Sequence, residues 1–206
     1  MNYYTRIPNY DTIKTLPEEN AEYIKEALPN VSSCYCMMGS VFIGCNALTS
    51  IDTTGWDTSN VTDMVCMFGS CSSLTTLDVS KFNTSKVIDM GHVFDCCYSL
   101  TTLDLSNWDI SKVSSVYGMF SNCRSLTTLD VSNWDTSKVT DMYAMFRYCY
   151  ALTTIKGAIN MKSCTSYDNM FIGCTKLSGV KIKNPPSGFT DKYASEISSG
   201  KIVIVQ

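Results

Sequence analysis

Apolar residues recur along this chain in registered columns. Phe42, Phe68, Phe94, Phe120, Phe146 and Phe171 advance by 26, 26, 26, 26 and 25 residues, and Cys45, Cys71, Cys97, Cys123, Cys149 and Cys174 keep the same step three positions later. Leu48, Leu74, Leu100, Leu126, Leu152 and Leu177 follow three positions after the cysteines. Val61, Val87, Val113 and Val139 make a further column, and Trp56, Phe82, Trp108 and Trp134 another. A fixed period of about 20–50 residues marks a repeat architecture, in which one unit is too small to bury its own core and neighbours must stack to do so.

One full unit, from Cys123 to Phe146, reads CRSLTTLDVSNWDTSKVTDMYAMF. Its LTTLDVS half has the L-x-x-L-x-L spacing of one short strand per repeat, with Thr, Asp and Ser pointing outward. NWDTS is turn chemistry, since Asn, Asp and Ser bond their own backbone. In VTDMYAMFRYC, Val139, Met142, Met145, Phe146 and Cys149 lie three or four apart, which suits a short helical or 3₁₀ turn; VTDM as a second short strand fits the same residues. The expectation is a mainly β chain with short helical turns, built as a leucine-rich-repeat-like solenoid. One parallel sheet should hold Leu77, Leu103 and Leu129 in register. Capping ends should close the exposed core. Residues 1–37 form the N-terminal cap, with a helix over Pro17–Leu28 that carries acids in its first turn. Residues 38–183 form a solenoid of about six coils. Residues 184–206 form the C-terminal cap, with a short helix, a stop at Gly200 and a closing strand over Lys201–Val205.

The units MFGSCSSLTTLDVSKFNTSKV and MFSNCRSLTTLDVSNWDTSKV resemble those of the BspA-like leucine-rich-repeat family, over roughly residues 38–183. The resemblance implies a right-handed solenoid. It also implies, for many members, bacterial or protist surface proteins that bind host or matrix proteins, and it extends to phage proteins with the same repeats. It brings no catalytic residues. The N-terminal MNYYTRIPNYDTIK lacks the basic and apolar regions of a signal peptide, and SSGKIVIVQ carries no lipidation pattern. The favoured expectation is therefore a non-enzymatic protein-binding or structural module, adhesin-like or receptor-binding and placed outside a cell or on its surface. The alternative is a bacteriophage virion component decorating a capsid or tail, which leaves the cell by lysis without a signal peptide.

Composition narrows the chemistry. The 206 residues carry a net charge of -3, so no basic stripe is available for nucleic acid. No stretch approaches the roughly 18 apolar residues that span a bilayer. Eleven cysteines suggest a disulfide framework, but the six column cysteines stack with their side chains pointing the same way. They read as a buried ladder of small hydrophobes. With one histidine and no C-x-x-C pair, a zinc site is disfavoured; Cys34 with Cys36, and Cys96 with Cys97, are too close in sequence for a zinc knuckle. No cofactor is expected.

Three groups remain as candidate chemistry. His92 has Cys66 one repeat away, a conceivable dyad, but its column also holds Gly118 and Ala144 and reads as open surface. The acids Asp52, Asp78, Asp104 and Asp130 stack outward. Neighbouring hydroxyls and lysines account for them, with Lys156 ending the column beside Asp130; a weakly held divalent cation is the sharper possibility. The variable columns collect Tyr98, Tyr117, Arg124, Tyr143, Arg147, Tyr148 and Tyr150, where an earlier repeat has Gly69, Ser70 and Ser72. Tyr and Arg dominate binding hot spots. The outward Thr face, with Thr75, Thr101, Thr127 and Thr153, is too monotonous to tell partners apart. The variable columns are therefore the expected site for a protein partner.

Overall fold

The computed structural model describes residues 39–206; the expected N-terminal helix, Cys34 and Cys36 lie outside the described residues. Among the described residues, regular structure is mainly short strands with two short helices. In chain order these are β1 (Thr128–Asp130), β2 (Thr154–Lys156), β3 (Ala158–Asn160), β4 (Val180–Lys183), α1 (Phe189–Lys192), α2 (Ala194–Ser198) and β5 (Ile202–Val205). β1 pairs parallel with β2, placing Leu129 opposite Ile155 and Asp130 opposite Lys156. β3, β4 and β5 form a second parallel sheet in that order. There is no closed barrel among the described residues.

The single sheet through Leu77, Leu103 and Leu129 does not form. Leu129 lies in β1, but Leu77 and Leu103 sit in irregular backbone. In LTTL two successive threonines face solvent, Thr127 and Thr128 at the start of β1 as well as Thr75, Thr76, Thr101 and Thr102. Few backbone bonds cross between repeats at this point, from Thr75 N–H to Thr49 O (2.9 Å), Thr127 N–H to Thr101 O (3.4 Å) and Thr153 N–H to Thr127 O (2.9 Å). Threonine hydroxyls reinforce them, Thr75 Oγ1 donating to Thr49 O and Thr153 Oγ1 to Thr127 O.

The continuous parallel connection lies elsewhere. Single bridges join Asp63 to Asp89, Asp89 to Ser115, Ser115 to Asp141 and Asp141 to Ser166, so the V-T-D-M segment acts as the sheet-like seam. The residues that follow it are not helical. Each repeat holds two left-handed residues four apart: Cys66 and Ser70, His92 and Cys96, Gly118 and Asn122, Ala144 and Tyr148, Asn169 and Gly173. A left-handed residue ends any helical run, and for a non-glycine residue it is disfavoured by about 1–2 kcal/mol. The hydrogen bonds explain why it persists. Alternate N–H groups turn toward the next repeat, as His92 to Tyr117 O (2.7 Å), Phe94 to Met119 O (3.0 Å) and Cys96 to Ser121 O (2.8 Å). The N–H groups between close tight turns, as Asp95 to His92 O (3.1 Å) and Cys97 to Phe94 O (3.2 Å). Most donors in the stretch are used in this way, as a buried backbone favours.

Three corners of each repeat are set by Asx turns. In the repeat after Leu74, Asp78 accepts from Ser80 N–H, Asn83 from Ser85 N–H and Asp89 from Gly91 N–H. The same three positions serve in the next repeat, where Asp104 and Asp109 accept from Ser106 and Ser111, and Ser115 Oγ sits 3.5 Å from Tyr117 N. Side-chain oxygens that bond the backbone two residues on fix a turn wherever they fall.

These corners enclose one continuous core. The Phe rings from Phe42 to Phe171 form a stack with centroids 5.6–5.8 Å apart. Trp108 is buried between Phe82 and Phe94, and its indole N–H donates to Val79 O at 3.1 Å. The column cysteines are buried, and their thiols also donate across repeats: Cys71 to Phe42 O, Cys97 to Phe68 O, Cys123 to Phe94 O, Cys149 to Phe120 O and Cys174 to Phe146 O, at 2.9–3.2 Å. They are unbridged thiols. Burial pushes the Cys97 thiol up to about 12 and raises Cys71 and Cys123 as well. After the last repeat, Phe189 of α1 and the buried Tyr193 pack on Tyr167 and Phe171. Gly200, left-handed, ends α2 and turns the chain into β5.

Candidate interaction face

The tight turns that follow V-T-D-M decide which side chains leave the core. In MYAMFRYCY of the fifth repeat, Met142, Met145, Phe146 and Cys149 are buried, while Tyr143, Arg147, Tyr148 and Tyr150 emerge. Ala144 and Tyr148 are the left-handed residues there, so the backbone reverses direction around each emerging pair. Equivalent residues of the third and fourth repeats emerge alongside, because alternate N–H groups tie the turns together.

The seven sequence-selected residues fall into three contacting groups. Tyr117 stacks on Tyr143 with centroids 5.2 Å apart, and Asn169 Nδ2 donates to Tyr143 Oη at 2.7 Å. Tyr148 stacks on Tyr150 at 5.8 Å, and the Arg147 guanidinium lies 4.6 Å from the Tyr148 centroid while donating to its Oη. In the third group Arg124 lies 4.3 Å over the Tyr98 ring. Arg124, Tyr98 and Tyr150 are exposed; the others are half-buried. Stacked against one another, these long side chains have already lost part of the rotamer freedom a partner would otherwise have to remove.

Close packing within the face depends on Gly118 and Gly173. A Cβ on Gly118 would stand 2.7 Å from His92 Cε1 and Nδ1, and one on Gly173 would stand 2.5 Å from Tyr148 Cδ1. His92 is therefore not an open-surface residue, as its column suggested. It is half-buried, edge-on to Tyr117 at 4.4 Å, with Nδ1 3.2 Å from Asp95 Oδ2, too oblique for a linear N–H···O bond but an ion pair when the ring is protonated. Burial raises the Asp95 carboxyl, but the close His92 ring and the Ser121 hydroxyl and Cys96 thiol outweigh it and leave the carboxyl below the usual range. The signal for this pair was present in the sequence as the i, i+3 spacing of His92 and Asp95; the variability of the His92 column masked it.

The surroundings of Cys66 favour its neutral thiol. Burial pushes its thiol up, and the carboxylates of Asp95, Asp63 and Asp89 push it further. An activated thiol needs the opposite surroundings. The outward acids of Asp78, Asp104 and Asp130 are engaged in their Asx turns, whose serine bonds hold their carboxyls below the usual range, and Lys156 lies 3.9 Å from Asp130. Among the described residues no three His, Cys, Asp or Glu side chains converge to hold a metal ion.

Beside the Tyr98–Arg124 pair lies a shallow recess of about 390 Å³, lined by Asn46, Ser70, Ser72, Cys96 and Tyr98. It exists because the earlier repeats carry small side chains where the later ones carry Arg and Tyr. No helix among the described residues is long and apolar enough to cross a membrane.

The sequence profile of a repeat family described as "Mycoplasma protein of unknown function, DUF285" matches this chain over residues 36–129 and again over 104–184. No curated protein and no solved structure matches it.

Proposed function

This chain belongs to the DUF285 family, and we propose that it is a non-enzymatic, protein-binding module of adhesin-like or receptor-binding type. Its repeats would form a right-handed, leucine-rich-repeat-like solenoid of the BspA-like kind. The uninterrupted run of 25- and 26-residue hydrogen-bonded steps and the single Phe stack support that architecture. The observation that carries the functional reading is the Tyr–Arg face itself. Stacked Tyr117 with Tyr143, and Tyr148 with Tyr150 under Arg147, offer large amphipathic contact area that is already ordered.

Biolayer interferometry of the protein against immobilised host matrix proteins tests the reading. A partner should be bound and should be lost about tenfold or more in Arg147→Ala/Tyr148→Ala, with the melting temperature nearly unchanged. Thr101→Ala/Asp104→Ala should bind normally. Normal binding by the first variant and loss in the second would transfer the site to the threonine face.

A further inference from the structure

The recess at Tyr98 has a chemistry of its own. Asn46, Ser70, Ser72, Cys96 and Tyr98 line its roughly 390 Å³, and none of them carries a formal charge at neutral pH. Ser72 Oγ donates to Asn46 Oδ1 at 3.4 Å, which fixes the amide so that its NH₂ remains to donate elsewhere. Tyr98 forms one wall. Arg124 covers one face of its ring from the following repeat, and the recess opens toward the small Ser72 of the preceding one. On the other side of the recess the Cys96 thiol donates to Asp95 Oδ1 at 3.4 Å, which fixes that wall.

A ligand for such a place must meet two conditions. A charged group would find no opposite charge in the lining. An apolar side chain would cover the serine hydroxyls and the amide without replacing their water hydrogen bonds. A ring with one C–H-rich face and several hydroxyls meets both demands, stacking on Tyr98 and exchanging hydrogen bonds with Asn46, Ser70 and Ser72. We propose that the Tyr98 recess binds a neutral hexose, with the sugar ring lying on the free face of Tyr98 and its hydroxyls on Asn46, Ser70 and Ser72. The recess shares Tyr98 with the Tyr–Arg face but none of Tyr117, Tyr143, Arg147, Tyr148 and Tyr150, so loss of a protein partner in Arg147→Ala/Tyr148→Ala and loss of sugar in Ser72→Tyr tell the two readings apart.

The test is saturation-transfer NMR and titration of the full chain with methyl glucoside, methyl galactoside, lactose and chitobiose at millimolar concentration. At least one sugar should receive saturation and give a dissociation constant in the millimolar range. Tyr98→Ala should weaken it about tenfold, the scale of one lost aromatic stacking contact, whereas Tyr98→Phe should retain it. Ser72→Tyr fills the recess with a residue that its column already accepts at Tyr98 and Tyr150, and should abolish binding while the circular dichroism spectrum and melting temperature hold. Transfer to none of the four sugars overturns the proposal, and so does binding that survives Ser72→Tyr or Tyr98→Ala.

Discussion

Replacing Trp108 with alanine probes the core at its middle. The side chain is 2% exposed, its ring lies 5.9 Å from Phe94 and 6.4 Å from Phe82, and its indole N–H reaches Val79 O. Removing a buried Trp costs about 3–5 kcal/mol, transfer and cavity together. The hydrogen bond adds little, because Val79 O also accepts the Phe82 N–H at 3.1 Å and keeps a partner. Trp108→Phe separates the two contributions. The same column holds a buried Phe82 one repeat earlier, so phenylalanine keeps the ring contact and loses only the indole bond and some volume, roughly 1–2 kcal/mol. Urea titration followed by far-UV circular dichroism measures both variants without relying on tryptophan emission. The alanine variant should lose at least about twice as much stability as the phenylalanine variant, and its melting temperature should fall by roughly 10 °C. If the weakened repeat uncouples its neighbours, the slope m will fall too, because a stack held by nearest-neighbour contacts loses cooperativity at a weak central unit. Equal losses in the two variants would refute the reasoning, since the ring would then contribute nothing beyond its N–H.

The thiol ladder predicts a stability that fails in base. A thiol whose folded pKa lies above its unfolded value lends stability that is whole below the unfolded value and is lost as pH rises toward the folded one. The urea midpoint should therefore hold to about pH 9 and fall on approach to about 12, with a shallower fall in Cys97→Ala; equal slopes would remove Cys97 from the account. In native protein, iodoacetamide should label half-buried Cys66 and Cys96 before Cys97 and Cys123, and mass spectrometry finding the buried pair labelled as fast would contradict their burial. Gly118→Ala should destabilise by about 1–3 kcal/mol through overpacking against the His92 ring. In a His92→Ala background that overpacking part should disappear and leave about 1–2 kcal/mol, the left-handed cost alanine carries at φ 56 and that Ala144 already carries one repeat later. Additive losses in the double-mutant cycle would show that the imidazole is not what Gly118 makes room for.

The sequence by itself determined the period and the inside of this protein. Phe, Cys, Leu, Val and Trp columns are written at fixed intervals, and a residue repeated at the same place in stacked units must meet its own copies. The burial of Trp108 and of the Phe stack follows from that alone. The Lys156–Asp130 contact was legible for the same reason, because equivalent positions become neighbours. Tertiary structure decided the path of the backbone between those columns. Left-handed residues four apart replace the expected helical turn, yet they fall on His92, Cys96, Ala144 and Tyr148 as well as on Gly118 and Gly173. No residue preference announces them. They are stabilised by N–H groups that bond to a repeat some 25 residues further on, a partner no local window contains. The second role of the cysteine column was hidden in the same way, because a thiol reads as a small hydrophobe until the Phe carbonyl it bonds is placed beside it. The face suffers most from this limit. Tyr117 and Tyr143 are visible as large residues in variable columns. Whether they stack, who supports them and where a recess opens depend on Asn169, Arg147 and the serines of other repeats. Those contacts exist only once stacking has brought distant segments within a hydrogen bond of one another.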